Sequence, residues 1–302
     1  MITEPTVLVL GAGASHPYSL PTANQLRKML CVDLLIPMDS LHSSVEECGF
    51  RSDDIEKFSR AFFHSQEYSI DVFLEKNPKF LKIGKTSIAA CLIPFEKHEN
   101  VFNAKLEFES RTHWYQYVFH HLDCPQSAFH ENQLGIVTFN YDRSFEYYLH
   151  LAIAHRYQVT ADEATELMTH IPIVHVYGQL TPLKQLLKDG REYLPNFDPP
   201  IIKRAASDIL LFHEEGFEEN LNAARTLIHQ SKRVCFLGFG YHKINVERLF
   251  PEKISKTYFG TALGMPESEL AWVRAIFGPS MHLGSVHHDC LKFLQHHRVL
   301  QA

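Results

Sequence analysis

The 302-residue chain has no Cys-x-x-Cys pair; its six cysteines stand singly at 31, 48, 91, 124, 235 and 290. That spacing excludes a zinc ribbon and a redox dithiol. Scattered single cysteines in a chain of this size read as reduced, mostly buried thiols, and a cytoplasmic protein is expected. No apolar run is long enough to span a bilayer, and "MITEPTVLVL" at the start lacks the basic and apolar regions of a secretion signal. Neither property suggests a membrane partner. Positive charge is also short: 29 Lys and Arg against 35 Asp and Glu give a net charge of -6, with no basic run of five. Binding nucleic acid directly by phosphate neutralisation is therefore not expected. There is no Gly-x-Ser-x-Gly elbow, no Walker motif, no internal repeat and no low-complexity segment.

What is present is a recurring unit of apolar run followed by a turn. "TVLVL" leads into Gly-Ala-Gly-Ala-Ser, and "LPTANQLRKMLCVDLL" follows with Leu26, Leu30 and Leu34 in a helical stripe and Thr22 placed to cap it. "LGIVTFN" (134–140), "IPIVHVYGQL" (171–180) and "KRVCFLGFGY" (232–241) read as further buried strands, and "ISKTYFGTAL" as a fifth. Residues 35 to 130 suit helices instead. The pattern predicts one domain over 1–302: a Rossmann-like α/β fold, an open parallel sheet flanked by helices, with a helical insertion over about 35–130. Ligands of such sheets bind beyond the carboxyl ends of the strands.

Gly11 and Gly13 allow a tight turn and close approach of backbone to a pyrophosphate. The dehydrogenase fingerprint is incomplete, however. His16 stands where a third glycine falls, and no strand ending in an acid appears about twenty residues on. A turn of purely structural use fits the same residues. Asn140 and Asp142, at the end of a strand, read either as site residues or as a turn residue and a helix cap. Asp71 in "SIDVFL" reads as a helix N-cap. The histidine-rich "HHDCLKFLQHH" (287–297) reads as a polar helix, not a metal site.

Six segments in order, "VLGAGAS", "LPTANQL", "SIDVFL", "TFNYDRSFE", "VHVYGQL" and "FLGFGYHKIN", resemble the sirtuin-like superfamily, most closely its prokaryotic branch of NAD-consuming defence proteins. The resemblance spans about 6 to 250. It implies that Gly11, Ala12, Gly13 and Ser15 line a phosphate and ribose site, and that Pro21 and Thr22 lie on a loop over the nicotinamide. It further implies that Asn140 and Asp142 hold the nicotinamide ribose and carboxamide region, that Gly238 and Gly240 contact the cofactor, and that Asn245 lies near the adenosine end. The activity implied is hydrolysis of NAD, as substrate and without a metal, to nicotinamide and ADP-ribose. An antiviral effector that depletes NAD under control of a partner or of assembly follows from the same resemblance. The expected associates are further copies of the chain and a separately encoded ATPase, helicase or sensor.

Two departures matter. The paired cysteines of zinc-bearing sirtuin deacylases are missing, which weighs against protein deacylation. The family's catalytic His directly before a Gly is replaced by Tyr177 before Gly178, with a histidine at 175. A tyrosine, with a pKa near 10, is a poor base at neutral pH. In a continuous strand, residues i and i+2 share a face about 7 Å apart. On that geometry His175 is expected as the base and Tyr177 as the group orienting the ribose. The alternative is a structural His175 in a subunit that binds NAD or ADP-ribose without turning it over.

Overall fold

The computed structural model describes residues 1–37, 39–252 and 254–301. Its centre is a six-stranded sheet of order β3-β2-β1-β4-β5-β6, with β1 at Thr6–Leu10, β2 at Leu134–Thr138, β3 at Ile173–His175, β4 at Arg233–Leu237, β5 at Thr257–Gly260 and β6 at Met281–Leu283. Every pairing is parallel. The expected α/β architecture is therefore what the chain adopts. All residues of β1 and β2 are buried, because helices cover both faces of a parallel sheet. Strand order reverses on either side of β1, so a crevice opens between the turns that follow β1, β2 and β4.

Between β1 and β2 every described element is helical, as the pattern of 35–130 predicts. Thr22 caps the helix Ala23–Cys31 through a capping box with Gln25. The helices Ser52–His64 and Ile70–Lys76 bury Phe58, Phe62 and Phe73 against one another, with ring centroids of Phe62 and Phe73 4.9 Å apart. Leu81–Leu92 runs through the middle of this bundle with nearly all its residues buried, the reason its sequence shows no polar stripe.

Two strands differ from the expected pattern. β6 is a three-residue edge strand too short to carry a period. β3 ends at His175, well short of 180. Its neighbour β2 ends at Thr138, so after Val176 donates to the Thr138 carbonyl the ladder has nothing further to pair with. The chain turns instead, and Gly178 takes a φ of +67° against the Asp208 carbonyl, where a Cβ would sit 2.2 Å from that oxygen.

Candidate functional site

A cavity of about 290 Å³ lies beyond the carboxyl ends of β1, β2 and β4. Gly11, Ala12 and Ser15 from the turn after β1 form one part of its wall. Asn140 and Asp142, after β2, form a second, and Gly240 and Asn245, after β4, a third. Pro21 joins them from the loop before Ala23–Cys31. The fold thus brings eight of the residues singled out in the sequence to one cavity.

The others lie behind it. Gly13 donates its N–H to the Gly238 carbonyl at 3.0 Å, and a Cβ on Gly238 would lie 2.0 Å from the Ala14 nitrogen. These two glycines let the turns of β1 and β4 touch, a packing role. Gly240 is different: a Cβ there meets nothing within 4 Å, so its bareness keeps the cavity wall open. Thr22 is occupied as a helix cap.

Asn140 is fixed from three sides. Its amide nitrogen donates to the Gly11 carbonyl and to the Ser15 hydroxyl, each at 3.0 Å. A carbonyl only accepts, so the amide orientation is determined, and Oδ1 is left as an acceptor without a partner among the described residues. Its own carbonyl accepts from His175 Nδ1 at 2.9 Å. Asp142 accepts from the Ser144 amide at 3.1 Å and from the Ser144 hydroxyl, which ties it to the start of the helix Ser144–Tyr157. Burial raises its pKa, and the bonds from Ser144 and Ser15 oppose that.

His175 and Tyr177 do not share a face. The strand ends between them, which removes the alternation on which that expectation rests. His175 is buried, with Nε2 on the Glu146 carboxylate. Burial works to lower its pKa, but the Glu146 charge and bond outweigh this and the net shift is upward. Neither ring nitrogen is available to a ligand, so His175 positions Asn140 from behind. The Tyr177 hydroxyl accepts from Arg248 at 2.6 Å and donates to Asn245 Oδ1 at 2.8 Å. Arg248 in turn pairs with Glu75 at 2.9 Å. Burial pushes the Tyr177 pKa up further from neutrality. Its task is to hold Asn245, leaving the Asn245 amide N–H groups for a ligand.

The sequence reading did not place in the site the wall contributed by the helical insertion. Phe62, Tyr68, Ser69, Ile70, Asp71 and Leu92 close the cavity opposite the glycine turns. Asp71 is not the cap of its helix; Ser69 is, accepting from the Val72 amide, and this leaves the Asp71 carboxyl to accept from the Tyr141 hydroxyl and from Ser69 Oγ at 3.1 Å. Burial raises the pKa of Asp71, more than those two bonds lower it. His242 is the one histidine among the described wall residues. No group of three metal-ligating side chains is found among the described residues, at the histidine-rich carboxyl end or elsewhere. No helix of the described residues is long and apolar enough to cross a membrane. No protein-family model matches the chain and no curated protein does.

Proposed function

We propose that this chain binds NAD in the cavity between the glycine turns and hydrolyses it to nicotinamide and ADP-ribose. The observation that carries the reading is Asn140: an amide locked by Gly11, Ser15 and His175 at the end of β2, with one acceptor oxygen spare. That oxygen suits a ribose hydroxyl or an attacking water. In the reaction the water oxygen bonds to the ribose C1′. The C1′–N bond breaks with its electron pair passing to the ring nitrogen, which neutralises the pyridinium, and the water's proton leaves to solvent. Positioning and electrostatics supply most of such a reaction, and a general base adds about 10²–10⁴-fold. Loss of a histidine at position 177 is therefore compatible with slow turnover. The resemblance adds the wider proposal of a defence effector that depletes NAD in the cytoplasm and is held in check by assembly or by a separately encoded partner.

A second reading is a subunit that binds NAD or ADP-ribose without cleaving it. The committed bonds of His175 and Tyr177 favour it, since neither side chain is free to take a proton from water. The deciding experiment mixes the purified chain with NAD and follows nicotinamide and ADP-ribose by chromatography, beside Asn140→Ala. Nicotinamide release that falls on the order of 10²-fold in the variant supports hydrolysis. Binding of NAD by calorimetry with no release supports the second reading.

A further inference from the structure

A second cavity, of about 420 Å³, lies apart from the first and shares no described wall residue with it. It opens between the turn Lys105–Ser110, the helix Trp114–Leu122 and the last helix, Cys290–His297. Its size is that of a small-molecule site. Leu106, Tyr117 and Leu291 give it an apolar and aromatic lining, and Glu107 and Arg111 bring one charge of each sign.

Those two charges stand four residues apart, the spacing at which an α-helix pairs them. Here they do not pair. Lys105–Ser110 is wound as a π-helix, and Arg111 lies past its end at a φ of +50°, a left-handed backbone that is costly for a residue with a Cβ. The helical stripe that would bring Arg111 over Glu107 is interrupted. Glu107 accepts instead from the Gln116 amide at 2.8 Å, and Arg111 has no carboxylate within ion-pair distance among the described residues.

A third group is fixed from behind. His113 is only 6% exposed, and its Nδ1 lies 3.2 Å from the Tyr18 hydroxyl, which already accepts from the Tyr115 amide at 2.9 Å. A backbone N–H only donates, so the Tyr18 proton goes to Nδ1 and the imidazole carries its own proton on Nε2. Burial lowers the His113 pKa to about 4, which keeps the ring neutral. Its Nε2–H is a neutral donor without a partner among the described residues, on a side chain that lines the cavity. A guanidinium, a carboxylate and a neutral donor around an apolar lining match a small ligand that carries both charges on an apolar body.

We propose that this cavity binds a free, zwitterionic α-amino acid with an apolar or aromatic side chain. Its carboxylate meets Arg111 and the His113 N–H, its ammonium meets Glu107, and its side chain lies against Leu106, Tyr117 and Leu291. The segment that holds it is tied to the first cavity. Trp114, next to His113, donates from Nε1 to the Ala14 carbonyl at 2.7 Å in the turn after β1, and Tyr18 follows that turn. An amino acid held at His113 therefore bears on the turn that shapes the cavity proposed for the dinucleotide, and a ligand there bears equally on the amino acid.

The test is titration calorimetry of the full chain with three probes: L-phenylalanine, hydrocinnamate, which lacks the ammonium, and phenethylamine, which lacks the carboxylate. L-Phenylalanine is expected to bind about tenfold tighter than either, since each of the others lacks one charge-assisted contact. Arg111→Gln is expected to weaken L-phenylalanine about tenfold and to leave phenethylamine within about twofold. Glu107→Gln is expected to weaken L-phenylalanine similarly and to spare hydrocinnamate. Both residues are exposed, so unchanged melting temperatures report that the variants are folded. Saturating L-phenylalanine is further expected to change ADP-ribose affinity about fivefold, and this arm alone rests on the dinucleotide reading. A wild-type chain that binds none of the three probes, equal affinity for all three, or an unchanged L-phenylalanine affinity in Arg111→Gln overturns the amino-acid site, whether or not ADP-ribose binds. An ADP-ribose affinity that L-phenylalanine does not move overturns the link between the cavities. Absence of ADP-ribose binding under both conditions overturns the dinucleotide reading and leaves the amino-acid site standing.

Discussion

Beyond the strand ends the molecule carries two polar clusters that look alike in sequence and differ in what they do. One lies under the β2–β3 side: Arg143, fully buried, pairs with Glu96 at 2.6 Å and donates to the carbonyls of Thr181, Arg191 and Glu192, while Arg191 reaches the same carboxylate. His175 with Glu146 belongs to this side. The other is the cavity, where Asn140, Asp71, Asn245 and His242 border open space. The tetrapeptide Asn140-Tyr141-Asp142-Arg143 feeds both. Its first three residues line the cavity, Asp142 being tied as well to the start of the helix through Ser144, and Arg143 ties the chain to the fold. In the closed cluster charges are met by opposite charges and carbonyls, so each group holds others in place. In the open cluster Asn140, Asp71 and Asn245 are held by neighbouring side chains or backbone while they border the cavity, and His242 Nδ1 is buried without a partner among the described residues. Residue type does not separate the two sets; the number of bonds already made does.

The comparison breaks most visibly at Glu96. Replacing it by Gln leaves Arg143 and Arg191 buried without a counter-charge, a loss of about 3–5 kcal/mol. Against a domain stability of roughly 5–15 kcal/mol, that loss unfolds an appreciable share of the protein. Urea unfolding measures it directly. A change below about 1 kcal/mol would show that the closed cluster is not what ties these loops together.

His175→Ala is the next largest, at about 3 kcal/mol, because Glu146 loses its buried partner. This effect carries a pH signature. The folded pKa of His175 lies above its unfolded value, so the stabilisation is fully present below about pH 6.5 and is lost as pH rises through the raised value. The gap in melting temperature between wild type and variant is therefore expected to narrow on going from pH 6 to alkaline pH. A gap that widens would mean that the imidazole is held neutral. The same variant also releases the Asn140 carbonyl, so the proposed NAD hydrolysis predicts weaker nicotinamide release beside the loss of stability.

The sheet, the helical character of the insertion and the glycine turns were legible in the sequence because each leaves a local trace: a short apolar run, a 3.6-residue stripe, or a residue without a Cβ where the chain must turn. Asn140 was legible for the same reason, standing where its strand ends. The wall around Asp71 was not. Ser69 and Asp71 are both good capping residues two positions apart, and nothing local decides which one caps. The choice is made by Tyr141, seventy residues on, whose hydroxyl takes the Asp71 carboxyl. The division of labour between His175 and Tyr177 was hidden likewise. The sequence "IPIVHVYGQL" runs on as a strand pattern, and only the short length of β2 ends the ladder at His175.

The glycines after β4 give the finest comparison, since two residues apart one packs on the backbone of another turn and the other borders the cavity. Gly238 has a φ of +55° and packs on the turn of β1, so Gly238→Ala forces a methyl onto the Ala14 backbone. Strain of this kind costs about 1–3 kcal/mol, and a fall in melting temperature checks it. Gly240→Ala meets no protein atom, and its stability is expected to stay within about 0.5 kcal/mol of wild type. Its methyl lies instead on the cavity wall, where it would crowd the proposed dinucleotide. The expected result is ADP-ribose affinity lowered roughly fivefold, equivalent to about 1 kcal/mol of overpacking, at an unchanged melting temperature. If Gly240→Ala bound ADP-ribose as well as wild type did, the turn after β4 would lie outside the ligand's footprint, and the dinucleotide would have to be held by the turns of β1 and β2 and the helical wall alone.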